Sequence, residues 1–274
     1  MITNAMSAAV GGMTAQATRF LHIGNNIANS STTGYKSGDA VFAETLALVS
    51  GKSPNGSRLQ PGAGVAVMGT TGDFSTGQLL DNTNPYNIAI QGDGFLPVTV
   101  GGQDYITRSG DFSLVPSPIT TGEFVMMRPN GSMLQGAANG TATSLLAGDG
   151  GVVTFDAAPT SIDIDVDGTI TVEPSTITVT NGFIRLKNFV NPDGLIREEA
   201  QMYTETTDAS IVGTIIEPGQ SDTGFLRQSS LEQSNVDLTN EFTKMIVSQR
   251  NFQANAKTIT TADEMLNTAI NVKR

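Results

Sequence analysis

The run Asp163-x-Asp165-x-Asp167-Gly168 has the alternating carboxylates and glycine bend with which a calcium loop opens. Its twelfth position is Pro174, with Glu173 one place early, so the bidentate ligand that closes such a loop is missing. The run reads instead as an acidic strand face ending in a type I′ turn. His22 is the single histidine and the chain has no cysteine, which leaves zinc sites, thiol nucleophiles and histidine triads without raw material. His22 itself reads as a packed or interfacial side chain. Gly62-x-Gly64 is followed by Gly69, the wrong spacing for a dinucleotide fingerprint, and there is no phosphate loop. Carboxylate pairs for sugar hydrolysis are always conceivable among 26 acidic residues, but with no tryptophan and four tyrosines a sugar cleft has little to stack with. The residues therefore point away from an enzyme, and they imply no metal and no cofactor.

The elements that carry these residues differ along the chain, beginning with charge. Fifteen basic residues against 26 acidic ones give a net charge of −11, which repels nucleic acid and anionic lipid. The first 36 residues carry only Arg19 and Lys36, and residues 236–274 carry five basic and four acidic groups, so the remaining −14 lies in the middle. No run of 18 apolar residues is present and Arg19 is the only charge in the first 20, so neither membrane insertion nor a cleaved signal peptide is expected.

Near the N-terminus Met6, Val10, Met13, Ala17, Phe20, Gly24 and Ile27 recur in steps of three and four, which predicts a helix over about the first 27 residues. The same steps join Leu238, Phe242, Met245, Gln249, Phe252, Ala256, Ile259, Asp263, Leu266 and Ile270, which predicts a second helix over about 235–271. Ser234 and Asp237 have the spacing of a capping box at its start. Between the helices, glycine, threonine and aspartate surround short alternating runs such as Ile162, Ile164 and Val166, the pattern of antiparallel strands. Residues 34–75 read as an extended connector with one apolar stretch, Val41 to Val49. The predicted fold is α+β: an antiparallel coiled coil of residues 1–33 and 235–274, the connector 34–75, and a mostly antiparallel β-rich domain over 76–234. About 36 helical residues make a rod on the order of 50 Å long, more than a β domain of this size could cover. The N-terminal helix presents alanine, serine and glycine outside its seam, where a water-facing helix would carry charge. Both features predict that neighbouring copies supply the missing cover.

The segment from Gly24 to Lys36, with Asn25, Asn26, Ala28, Asn29, Gly34 and Tyr35, resembles the N-terminal signature of bacterial flagellar rod and hook proteins. Ser234 to Leu238, with Asn235 and Val236, and Met245 to Lys257, with Gln249 and Arg250, resemble their C-terminal signature. Internal runs at Asn87–Phe95, Thr107–Ser113 and Asn191–Leu195 have counterparts there too. The resemblance implies a subunit of a helical tube in the hook or basal body, with paired terminal helices inside and the β domain outside. It implies contacts with other axial proteins (rod, hook cap and hook–filament junction) and with the flagellar type III export apparatus. The C-terminal residues are more like the hook protein, a flexible joint, than the distal rod protein, a drive shaft. Hook is therefore the first expectation and distal rod the alternative, although 274 residues leave no room for the extra outer domain many hook proteins carry. A secreted β-domain binding module with a dimerising coiled coil is the distant third. Phe42-x-x-x-Leu46 resembles an export-gate motif of early flagellar substrates. The seam residues Met6, Val10, Met13, Phe20, Ile27, Leu238, Phe242, Met245, Phe252, Ile259, Leu266 and Ile270 are the expected assembly surface.

Overall fold

The computed structural model describes residues 2–45, 51–52, 58–59, 62–120, 122–138, 150–209, 216–220 and 223–272. The chain folds as two units, one made of Met1–Asn29, Ser37–Asp73 and Val236–Arg274, the other of Ser30–Lys36 and Phe74–Asn235.

The first unit holds α1 (Ile2–Ala28), β1 (Gly38–Glu44), β2 (Gly51–Lys52), β3 (Arg58–Leu59), β4 (Val65–Gly72) and α2 (Leu238–Val272). Neither helix contains proline, so nothing interrupts their ladders. The cap of α2 is Asp237, one turn later than the sequence suggested for Ser234. Its Oδ1 accepts from the amides of Thr239 (2.9 Å) and Asn240 (3.4 Å), satisfying two of the orphan donors at the helix start. At the same end of the pair, the Asn29 side chain donates to the Asn25 carbonyl at 2.9 Å and closes the last turn of α1.

The helices run antiparallel. Asn26 meets Glu241, Gln16 meets Ser248, and a Cβ added at Gly12 would sit 2.7 Å from the Asn255 amide. Part of the stretch read as an extended connector is an antiparallel ladder, β1 on β4, running from Gly38↔Gly72 to Glu44↔Val65 with a bulge between Val41 and Phe42. This ladder packs on α1. Gly11 makes the approach possible, since a Cβ there would lie 2.9 Å from the Val65 carbonyl oxygen.

The second unit is built from β5 (Leu79–Asp81), β6 (Ile88–Gln91), β7 (Leu96–Val100), β8 (Gln103–Thr107), β9 (Ser113–Pro116), β10 (Phe124–Met127), β11 (Met133–Ala137), β12 (Gly150–Val152), β13 (Thr154–Phe155), β14 (Ser161–Ile164), β15 (Ile170–Glu173), β16 (Val179–Thr180), β17 (Ile196–Arg197), β18 (Met202–Thr204), β19 (Phe225–Gln228) and β20 (Ser230–Glu232). Its main sheet has ten strands, with the path β16-β13-β10-β11-β7-β8-β18-β17, β12 added on β11 and β9 on β10. The hairpin β14–β15 and the two-stranded pairs β19–β6 and β20–β5 complete the unit, and every pairing named is antiparallel. Alternation puts Ile162 and Ile164 inside and Asp163 outside, as their period of two requires. The core gathers Ile88, Leu96, Met126, Leu134, Phe155 and Leu186. A second cluster packs Phe95 edge-on against Phe74 and Phe189 at 5.7 Å and Tyr203 at 5.8 Å.

The acidic hairpin differs from its sequence reading in one respect. Gly168 alone of its loop has positive φ (+88°), and the Gly168 amide donates to the Asp165 carbonyl while the Asp165 amide donates to Thr169. This is a three-residue loop closed by a glycine bulge, since a type I′ turn needs positive φ at both central residues. Asp165 and Asp167 use their carboxylates locally, accepting from the amides of Val166 and Thr169. Among the described residues no group of three or more histidine, cysteine or acidic side chains converges to hold a metal.

Candidate self-assembly surface

Each terminal helix has one face turned to its own chain and one left in water. On α1 the buried residues are Ala9, Gly12, Ala15, Ile23 and Asn26, mostly small or polar. On α2 they are Glu241, Ser248 and Ala262, at multiples of seven. Polar contacts line this inner seam. The Asn26 amide donates to Glu241 Oε2 at 3.3 Å and exchanges two further bonds with the Gly38 backbone, at 2.9 and 3.1 Å. Ser248 Oγ donates to Gln16 at 3.1 Å, and Lys244 bridges Glu241 (2.8 Å) and Asp39 (3.7 Å). Arg19 reaches Asp39 at 3.5 Å. Partly exposed ion pairs of this kind contribute about 0–1 kcal/mol each, so they set register more than they supply stability.

The apolar seam lies mostly to one side of these residues. Val10, Phe20, Leu238, Phe242, Phe252 and Ile270 are exposed, Val10 by 51% and Ile270 by 67%. Met6, Met13, Ile27, Met245, Ile259 and Leu266 are half-buried. The period was legible in the sequence, but the face that the chain covers for itself is the neighbouring one. Leu21, Ile246, Val247 and Met265 are exposed as well and fall outside the three-four pattern; Leu21 is 72% exposed. A groove of about 450 Å³ runs along the pair, lined by Gln16, Ala17, Phe20, Leu21, Gln249 and Phe252 among others. Contiguous uncovered apolar surface of this kind is uncommon on a monomeric protein. Among the described residues no helix is long and apolar enough to cross a membrane.

The signature residues fall into different places. Asn25, Asn26, Ala28 and Asn29 form the last turn of α1 and the residue after it. Gly34 adopts φ +66° and its amide donates to the Glu232 carbonyl at 2.8 Å. Tyr35 is buried with the Arg197 guanidinium over its ring at 4.8 Å. Asn235 donates to Ser75 Oγ at 3.2 Å, and Val236 is half-buried before the α2 cap. Gln249 and Arg250 are exposed, and Arg250 bonds one turn along, to Gln253 at 3.3 Å. Of the pair read as an export motif, Phe42 is half-buried on β1 and Leu46 lies outside the described residues.

Two family models match the chain: "Flagella basal body rod protein" over residues 6–36 and "Flagellar basal body rod FlgEFG protein C-terminal" over residues 227–272. Similar proteins include the flagellar basal-body rod protein FlgG of Bacillus subtilis, 33% identical over 97% of both chains. FlgG of Caulobacter vibrioides is 32% identical over 96% of both. The flagellar hook protein FlgE of Escherichia coli is 25% identical, covering 98% of this chain and 100% of its own, in an alignment 414 positions long. With terminal helices, an antiparallel β unit and end-to-end likeness all in agreement, the chain belongs to the bacterial flagellar rod and hook protein family.

Proposed function

We propose that this chain is a rod subunit of the flagellar basal body, a segment of the drive shaft that polymerises through α1 and α2. The observation that carries the reading is the pair of helices whose small and polar faces are used within the chain while Val10, Phe20, Phe242 and Phe252 remain in water. Burying such side chains is worth about 1.5–3 kcal/mol each, a driving force repeated at every subunit of a polymer. In this reading neighbouring copies complete a coiled-coil layer, the β unit faces outward, and the chain passes through the flagellar export apparatus, with Phe42 and Leu46 as candidate recognition residues. Other axial proteins form the ends of the segment.

Rod takes the place of the hook reading favoured by the C-terminal residues. The relatives aligned without long gaps are rod proteins, 279 positions in the Bacillus subtilis case, whereas the hook alignment of 414 positions leaves long stretches of the hook protein unmatched by 274 residues. Electron microscopy of the purified protein after polymerisation separates the two. Straight, stiff tubes are expected; curved, supercoiled tubes would return the chain to the hook.

A further inference from the structure

The β unit receives the chain through Ser30–Lys36 and releases it through the residues after β20, and both segments are fastened at one residue, Glu232. Its carbonyl accepts from the Gly34 amide at 2.8 Å. Its Oε1 takes the Lys36 ammonium at 2.5 Å and the Gly77 amide at 2.8 Å, while Oε2 faces Arg108 at 3.7 Å. Lys36 also donates to the Ser75 carbonyl at 2.7 Å, and its own carbonyl accepts from Arg197 at 2.5 Å. The side chains of Lys36 and Glu232 are wholly buried, and that of Arg108 is 1% exposed. Burial pulls the Arg108 guanidinium below its ordinary range, with Glu232 and Asp93 opposing that shift.

We propose that the Lys36–Glu232 pair is a mechanical tie that joins the entering and leaving segments of the β unit, so that load crosses both together and does not peel either one away. A buried ion pair adds little net stability compared with an apolar pair of the same shape, so stability alone does not account for placing one here. It does resist being opened, because separation draws the Lys36 ammonium away from a carboxylate in a site without solvent and leaves Glu232 with the longer contact to Arg108 at 3.7 Å. The role as a load path rests on the axial reading above, but the tie belongs to the single subunit and is tested there.

The chain has no cysteine, so Ser31→Cys and Gln233→Cys, both at exposed positions, introduce unique handles for pulling the full-length protein. Lys36→Met leaves the buried Glu232 carboxylate with Arg108, at 3.7 Å, in place of a direct ion pair and should weaken folding. The double variant K36M/E232Q removes both charges of the pair, keeps an acceptor for the Gly77 amide and leaves Arg108 its contact with Asp93 at 4.0 Å, so it should fold. Under load between the handles, the double variant is expected to rupture at least about tenfold faster than the parent. Rupture at the parental rate would overturn the tie. Hydrogen exchange on the unsubstituted protein gives a second arm: the Gly34 and Gly77 amides should exchange only when the whole β unit unfolds, and exchange by local opening would overturn it equally. Failure of the unsubstituted protein to form tubes would count against the axial function and leave these measurements intact.

Discussion

Phe252→Asp is expected to abolish tube formation while the β unit keeps its native melting transition. In the subunit Phe252 is exposed along the groove it shares with Phe20 and Leu21, so an aspartate there stays hydrated and disturbs little. In a polymer whose copies cover this groove, the same carboxylate would be buried without a partner, at a cost of about 3–5 kcal/mol per contact. At about 1.4 kcal/mol per tenfold, the concentration needed for growth should rise roughly 100- to 4,000-fold. Sedimentation of polymer across a concentration series reads this directly, with Thr268→Asp, remote from the groove residues, as a comparison of equal charge. Polymer growth at the parental threshold would take the Phe252 face out of the assembly.

The second large effect belongs to Gly34. Its φ of +66° lies in the left-handed region, and a Cβ would stand 2.6 Å from the Ser109 nitrogen and 2.7 Å from the Ser109 Cα. Both obstacles are backbone and cannot rotate away. Left-handed conformation costs a non-glycine residue about 1–2 kcal/mol and overpacking about 1–3, so Gly34→Ala should lose about 2–5 kcal/mol. The loss should appear as a lower urea midpoint for the β unit, accompanied by faster exchange of the Gly34 amide from Glu232. Gly24, inside α1 with nothing within 4 Å of an added Cβ, provides the contrast. Gly24→Ala should be neutral or stabilising by about 0.5–1 kcal/mol through helix propensity. Equal losses in both variants would show that the special backbone at Gly34 plays no part.

Those two glycines also show what a sequence can and cannot convey. Helical period is local, so α1 and α2 were readable from residues three and four apart, and the alternation of Ile162 and Ile164 with Asp163 gave the acidic hairpin. Hydrophobicity, however, identifies the residues that avoid water and not the partner that covers them. The chain's own packing chose Ala9, Gly12 and Asn26 because small size lets backbones approach and an amide can bond to Gly38, neither of which hydropathy registers. The β1–β4 ladder escaped notice since its strands are far apart in sequence and β4 carries glycine and threonine. Lys36 and Glu232 are 196 positions apart, and nothing local marks them as a pair. The signature resemblance picked out Gly34 and Tyr35, but only the folded chain shows that one supplies a left-handed turn and the other a surface for Arg197.

Assembly as proposed depends on other copies of the chain covering the bare apolar faces of α1 and α2. The most direct measurement is a density map of the polymerised protein at side-chain resolution. It should show Phe20, Phe242 and Phe252 in van der Waals contact with helices of neighbouring subunits, and the inner seam from Asn26–Glu241 to Gln16–Ser248 kept as in the single chain. A polymer held together only through its β units, with those three rings still facing solvent, would contradict it.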